Sequence, residues 1–337
     1  MVGCVMTSPA ARPRIEDVAR LAGISPITVS RALRLPELVS ARTRARVQAA
    51  IEQLGYIPNL SASSLASRRS GIVAVLVPTI GNSIFADTVR GLSDAVSDLG
   101  LQILLGDYGY SVDRERALLR TLAGRQPDAM VIVGLVEAAS ERALLKSLAI
   151  PVIETWDLTD QPIDTVVGFS NAEAGAKVAR HFLASGRRHL AFAGGSDART
   201  VARCQGFKQA IAGSATAPFC LTGEGPASVG AGRTMLTRIL QQAPDTDAIF
   251  LSSDVLAAGA LLEAQDQGIS IPGQLGIAGL GDLEIGRAMR PRLTTISVAA
   301  YDIGYRAGTV VTSRLSTEVA GPRIIDIGCS MLVRESG

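Results

Sequence analysis

Residues 14–69 read RIEDVARLAGISPITVSRALRLPELVSARTRARVQAAIEQLGYIPNLSASSLASRR. Ile15, Val18, Ala19 and Ala22 fall at helical spacing, and Gly23 stops that run. Ser25-Pro26 follows as a cap with proline at the first helical position. Val29, Ala32 and Leu33 supply the apolar side of the second helix, which Leu35-Pro36-Glu37 breaks. Ser40 opens a third helix, with Val47, Ala50, Ile51 and Leu54 on one side and Gly55 as its stop. Two short helices joined by a glycine-containing turn make a helix-turn-helix.

A helix that reads base edges presents short polar or adaptable side chains, with cations at its flanks for phosphates. The second helix offers Thr28, Ser30 and Arg31 on its polar surface, with Arg34 beyond. The plainer reading of Arg31 is a solvated surface cation. Ser40 and Thr43 could cap their helix, contact phosphates, or do both. Past Pro58 the chain turns small and polar. Asn59 can cap a turn or two of helix through Ala66, too short and Ser-rich to be stable alone. Residues 59–70 therefore read as a hinge between domains or as a plain linker, and Arg68 and Arg69 as phosphate contacts or ordinary linker surface.

From Gly71 onward, short apolar runs alternate with amphipathic helices. Strands are expected at 72–77, 101–105, 129–133, 151–154, 165–168, 189–193, 248–251 and 275–278. Helical stretches fall at 112–122, 172–183, 202–211, 229–240 and 255–267, and Phe85, Val89, Leu92, Val96 and Leu99 form a further stripe. Such βα alternation implies parallel sheets covered by helices, and its length favours two lobes.

The charge divides at the same place. Among 337 residues, 33 Lys/Arg and 31 Asp/Glu leave a formal net charge of +2. Residues 12–70 carry ten Arg and four Asp/Glu, a balance of +6, and residues 71–337 carry 23 against 27, a balance of −4. A basic head on a mildly acidic body suits an approach to a polyanion. With 47% hydrophobic residues the chain can build sizeable cores. No apolar stretch approaches a membrane span, and the opening MVGCVMTSPA does not read as a secretory signal. Cys4, Cys204, Cys220 and Cys329 show no C-x-x-C spacing, and His181 and His189 are the only histidines. These features predict a cytoplasmic protein with free thiols, no metal and no cofactor. No G-x-G-x-x-G, P-loop, G-x-S-x-G or H-E-x-x-H occurs, which weakens the enzyme readings.

The extended pattern of the head is highly specific: Asp17-Val18-Ala19, Ala22-Gly23-Ile24-Ser25, Thr28-Val29-Ser30-Arg31, Val39-Ser40 with Thr43-Arg44 and Val47, Leu54-Gly55-Tyr56 with Pro58-Asn59, then Leu65-Ala66. It closely resembles the DNA-binding head of the LacI/GalR family of bacterial transcription regulators, and the alternating body is similar to that family's effector-binding core. The resemblance implies an α/β protein: a small all-α helix-turn-helix head and a two-lobed, periplasmic-binding-protein-like core with parallel sheets. The expected head spans 12–58, the hinge 59–70 and the core 71–337. The first lobe is expected at about 71–168 plus 299–323, the second at about 169–298 plus 324–337. The implied function is a repressor, acting as a homodimer on operator DNA and released by a small-molecule effector. A solute-binding protein or a sugar-metabolising enzyme with the same body is the alternative.

By the same resemblance, Pro26, Ile27 and Arg31 face the major groove, and Tyr56 and Asn59 match backbone-contacting positions; Ser25, Thr28, Ser30, Arg34, Ser40 and Thr43 complete the expected DNA-binding set. Pro26 and Ile27 offer only apolar contact, so the readout shifts toward Arg31. Leu65 matches the family's minor-groove wedge, though it could instead pack against the body. Arg203 matches an effector-binding arginine. Asp254 either contacts ligand or caps its helix. Phe85 either stacks on the effector or packs in the core, Glu154 and Trp156 follow a strand into the cleft, and Asp282 is expected among the effector contacts. Many members carry G-[FY]-D-D where this chain has Gly279-Leu280-Gly281-Asp282. Loss of that first carboxylate removes repulsion toward an anion. The run from Gly279 to Ile285, with Glu154, Trp156-Asp157 and Val167–Asn171 upstream, looks like the gluconate-repressor subgroup, implying a sugar acid as effector.

Overall fold

The structure, a computed structural model, describes residues 13–57, 69–81, 83–213, 216–223, 225–316 and 323–337. Residues 1–70 and 71–337 form separate compact units. In the head, α1 (Ile15–Ala22), α2 (Pro26–Arg34) and α3 (Ala41–Leu54) bury Val18, Ala19, Ala22, Val29, Ala32, Val47 and Ala50 against one another. Gly23 and Gly55, both left-handed at φ near 60°, end α1 and α3. Ser25 accepts the Thr28 N–H at 3.2 Å and so caps α2; Ser40 accepts the Thr43 N–H at 3.3 Å and caps α3. The Arg46 guanidinium of α3 donates to the carbonyls of Ala22 and Gly23. It thus places a cation at the negative end of α1.

The body contains two six-stranded sheets. β1 (Ile72–Val77), β2 (Gln102–Asp107), β3 (Ala129–Val133), β4 (Val152–Thr155), β5 (Thr165–Gly168) and β11 (Ile324–Asp326) are parallel, in the order β11-β5-β4-β3-β1-β2. The second sheet runs β12-β10-β9-β8-β6-β7. It is built from β6 (Leu190–Gly194), β7 (Phe219–Thr222), β8 (Ala248–Leu251), β9 (Gly276–Leu280), β10 (Thr294–Ser297) and β12 (Ser330–Leu332), of which β12 alone is antiparallel to its neighbour. Helices cover both faces of each sheet. In the first lobe, α4 (Ser83–Val96) and α12 (Ala300–Ser316) take one face, while α5 (Val112–Ala123) and α6 (Ala139–Ser147) take the other. In the second, α7 (Asn171–Ala184) and α8 (Ala198–Ile211) lie opposite α9 (Val229–Gln242) and α10 (Asp254–Asp266). The short α11 (Glu284–Ala288) follows β9. Two-faced burial explains why the central strands are apolar at nearly every position.

The chain crosses between lobes after Gly168, after Ser297 and after Asp326. The third crossing differs from the expected break after residue 323, because Ile324–Asp326 adds to the edge of the first sheet beside β5. Two other differences matter for the site. Helix α8 begins at Ala198, a full turn before the expected residue 202, because the Asp197 carboxylate accepts the Thr200 N–H and caps it there. Leu99 does not continue the α4 stripe: the α-helix ends at Val96, a 3-10 turn follows, and Leu99 is exposed. Cys204 and Cys220 come together, with their sulfurs 3.4 Å apart and unlinked; Cys4 lies outside the described residues.

The contact of α7 with α8 is close enough to exclude side chains. A Cβ at Gly175 would lie 2.0 Å from the Arg203 carbonyl oxygen, and one at Gly206 would lie 1.9 Å from the Ala172 carbonyl oxygen. The two backbones therefore touch, and α8 is held to a fixed depth at the mouth of the second lobe.

Candidate DNA-reading helix and ligand cleft

Helix α2 turns Val29 and Ala32 inward and leaves Pro26, Ile27, Arg31 and Arg34 exposed, with Ser30 half-buried between them. Ile27 is 72% exposed, an apolar side chain with no role in the head's own core. The Arg31 side chain makes no hydrogen bond or ion pair with any described residue, whereas Arg34 folds back onto the Ser30 hydroxyl and carbonyl. The hydroxyls of Ser25 and Thr28 lie 2.9 Å apart, as do those of Ser40 and Thr43. Each pair spends one O–H on its partner and keeps one O–H donor free. Tyr56 is half-buried against the head's core, and Arg69 is exposed. Asn59, Leu65 and Arg68 lie outside the described residues.

In the body, a cavity of about 560 Å³ opens between the lobes. Its first-lobe wall includes Phe85, Tyr108, Tyr110, Glu115 and Trp156; its second-lobe wall includes Asp197, Arg199, Arg203 and Ser252. Trp156 is 1% exposed, with its ring edge-on to Phe85 at 5.1 Å and to Phe169 at 6.0 Å. Its indole N–H donates to Thr88 Oγ1 at 3.1 Å. The backbone of Trp156 is left-handed, φ 71°, a strained conformation for a bulky residue that surrounding contacts must enforce. One such contact is Asn171, whose Nδ2 donates to the Trp156 carbonyl at 2.9 Å. Asn171 Oδ1 in turn accepts Arg203 Nε at 2.8 Å, and Arg203 Nη1 donates to the Ser252 carbonyl at 2.9 Å. A single hydrogen-bonded path thus runs from the aromatic wall of one lobe to the arginine of the other.

Electrostatics divide the cleft. Burial pushes the Arg203 guanidinium down to about 10, so it remains a cation at neutral pH. Burial also works against the Asp197 carboxylate, but Arg199, Arg203 and two bonds from Thr200 outweigh it and hold that acid below the usual carboxylate range. On the facing wall, burial raises Tyr108, Tyr110 and Glu115. No group of three or more potential metal ligands occurs among the described residues, and no helix among them is long and apolar enough to cross a membrane.

Known proteins match this architecture along its length. Residues 14–59 match the family model described as bacterial regulatory proteins, lacI family, and residues 179–337 match a periplasmic binding protein-like domain. The HTH-type transcriptional regulator GntR of Pseudomonas aeruginosa is 35% identical over 98% of this chain and 97% of its own length.

The chain belongs to the lacI family of bacterial regulatory proteins. GntR of Escherichia coli is 31% identical over 95% of the chain and 97% of its own length. A lacI-family transcriptional regulator from Silicibacter pomeroyi superposes with a TM-score of 0.89 at 33% identity, covering 96% of this chain and 99% of that one. The protein is a DNA-binding transcriptional regulator of the lacI family, not an enzyme.

Within this lacI-family core, three residues expected as ligand contacts lie away from the cleft wall, each bonded to other parts of the chain. Glu154 is fully buried: Oε1 accepts the Val136 N–H at 2.9 Å, Oε2 accepts the Ile163 N–H at 2.8 Å, and Arg142 stands at 3.5 Å. Its carboxylate pins two loops and does not reach the cleft. Asp254 is also fully buried, accepting the Thr295 hydroxyl at 2.6 Å and the Leu283 N–H at 2.8 Å. Nor is it the cap of α10, because Ser253 accepts the Leu256 N–H in that role. Asp282 pairs with Arg334 and stands 3.9 Å from Arg287, outside the cleft wall. Gly281 has φ +137°, a conformation L side chains rarely adopt, so a carboxylate-bearing side chain at this position would be strained. Conversely, Asp197, Arg199, Tyr110 and Glu115 line the cleft without having been singled out by motif. The available signal was the helical step from Arg199 to Arg203, hidden by the expected helix start at 202.

Proposed function

We propose that this lacI-family regulator acts in the cytoplasm as a homodimer on a pseudo-palindromic operator, and that a sugar acid of the gluconate kind, seated between the lobes, releases it. The carrying observation is the pair of buried guanidiniums, Arg199 and Arg203, one turn apart on α8 in the cleft wall. A planar guanidinium fork suits a carboxylate, and the aromatic wall of Phe85 and Trp156 suits the C–H face of a sugar chain. A ligand that bridges two lobes shifts their arrangement only if it binds one arrangement better. Residues 59–70, which join core to head, are the segment through which that shift would be read. Two-fold assembly calls for a two-fold site.

Operator selection from random DNA, with and without gluconate and a neutral hexose, tests the reading. It should enrich an inverted repeat whose retention falls with gluconate and not with the hexose. Enrichment of no repeat, or release by the neutral hexose alone, refutes it.

A further inference from the structure

Arg199 carries the least satisfied polar group in the cleft wall. The residue is 7% exposed, yet its Nη1 is buried with no hydrogen-bond partner among the described residues. Its Nε lies 3.5 Å from Asp197 Oδ1, and its guanidinium carbon lies 5.4 Å from the centre of the Phe85 ring. A second-lobe cation therefore rests over a first-lobe aromatic face. A buried guanidinium N–H without an acceptor is unfavourable unless something supplies one. Asp197 is already committed, since it accepts from the Thr200 N–H and hydroxyl as well as facing Arg199. Arg203, by contrast, spends Nε and Nη1 on Asn171 and Ser252, so much of its fork is used to hold the lobes' walls in place.

The acids around the cleft limit what the acceptor can be. Glu115, Glu137 and Asp157 line it beside Asp197, and they would repel a dianion more than a monoanion. The same carboxylates and the Tyr110 phenol suit neutral hydroxyls, which donate to carboxylates and accept from phenols. Taken with the reading of the cleft as the effector site, on which this inference rests, we propose that Arg199 is the seat of the effector's single carboxylate. The polyhydroxyl chain then extends toward the Glu115 side of the first lobe.

Calorimetric titration of the full-length protein with gluconate, with its neutral amide gluconamide and with 6-phosphogluconate tests this. The native protein should prefer gluconate over the amide by roughly tenfold or more, the range of one charged hydrogen bond, and should bind the phosphorylated acid more weakly than gluconate. In Arg199→Gln the preference for gluconate over the amide should fall to about twofold or less. Arg199→Lys keeps the charge but loses the planar fork. It should show a reduced preference, and it decides the matter if the glutamine variant does not fold. A native protein that binds neither ligand, or both equally, overturns the sugar-acid reading together with this inference. A native preference kept in full by both folded variants, or tighter binding of 6-phosphogluconate, overturns the role of Arg199 alone.

Discussion

Gly206→Ala probes the geometry on which the cleft depends without altering any side chain that lines it. The added methyl would stand 1.9 Å from the Ala172 carbonyl oxygen and 2.5 Å from its carbon. Both belong to the backbone of α7, which cannot swing aside. Reaching even 3.0 Å, a separation real Cβ atoms essentially never undercut, requires α8 to withdraw by about 1.1 Å. Arg203 lies one turn away and holds Asn171 at 2.8 Å and the Ser252 carbonyl at 2.9 Å. A shift of that size carries both contacts to the edge of hydrogen-bonding range or past it. Overpacking costs about 1–3 kcal/mol, and each lost hydrogen bond to a charged group adds about 1.5–3 kcal/mol. A combined loss of about 4–9 kcal/mol would lower the core's melting transition by roughly 8 °C or more at this domain size. Scanning calorimetry reads that transition, and fluorescence anisotropy of a labelled operator titrated with gluconate reads the response. The expected result is a lowered transition with a blunted gluconate response. Gly230→Ala on α9, where nothing lies within 4 Å of the new methyl, should be neutral or slightly stabilising by helix propensity. If Gly206→Ala melts and responds like the native protein, the close contact between α7 and α8 is wrong, and with it the account of how Arg203 is positioned.

Two further outcomes are expected. Arg31→Ala should weaken selected-operator binding by about 1–3 kcal/mol and relax sequence preference at one position of each half-site; equal affinity and preference in a competition gel shift would return Arg31 to an ordinary surface cation. Burial holds the Asp254 carboxyl up to about 6, above its unfolded value, so the folded state keeps a proton that the unfolded state releases. Native stability should therefore fall relative to Asp254→Asn as pH rises from about 4 to 7, by about 2–3 kcal/mol. A difference between the two proteins that stays flat across that range, by thermal melts, would refute the assignment.

Much of this protein is legible along the chain because its signals are local. The head's helices are announced by caps and stops within a few residues of one another, Ser25 with Pro26, Ser40, Gly23 and Gly55. Most strands of the two sheets are apolar on both faces, so they stand out even where their ends shift by a residue or two; β7 and the threonine-rich β10 are not among the expected strands. Elements without such contrast are harder to see. Edge strands β11 and β12 are three residues long, with no buried residue, and α12 buries small residues such as Gly304, Ala307 and Gly308, which leave little hydrophobic periodicity.

The chain's order of residues by itself determined the basic head, the βα alternation and the family, because each rests on spacing or on a run of neighbours. Only the tertiary structure decided what the charged groups near the cleft do. Glu154, Asp254 and Asp282 look in sequence like Asp197 and Arg199, charged residues following strands. Glu154 and Asp254 are closed off by backbone N–H groups 9 to 29 residues away and Asp282 by Arg334, 52 residues away, whereas Arg199 keeps a buried donor with no partner among the described residues. Periodicity tells which side chains leave water. It does not tell which acceptor, if any, meets them there, because that partner comes from a distant part of the chain.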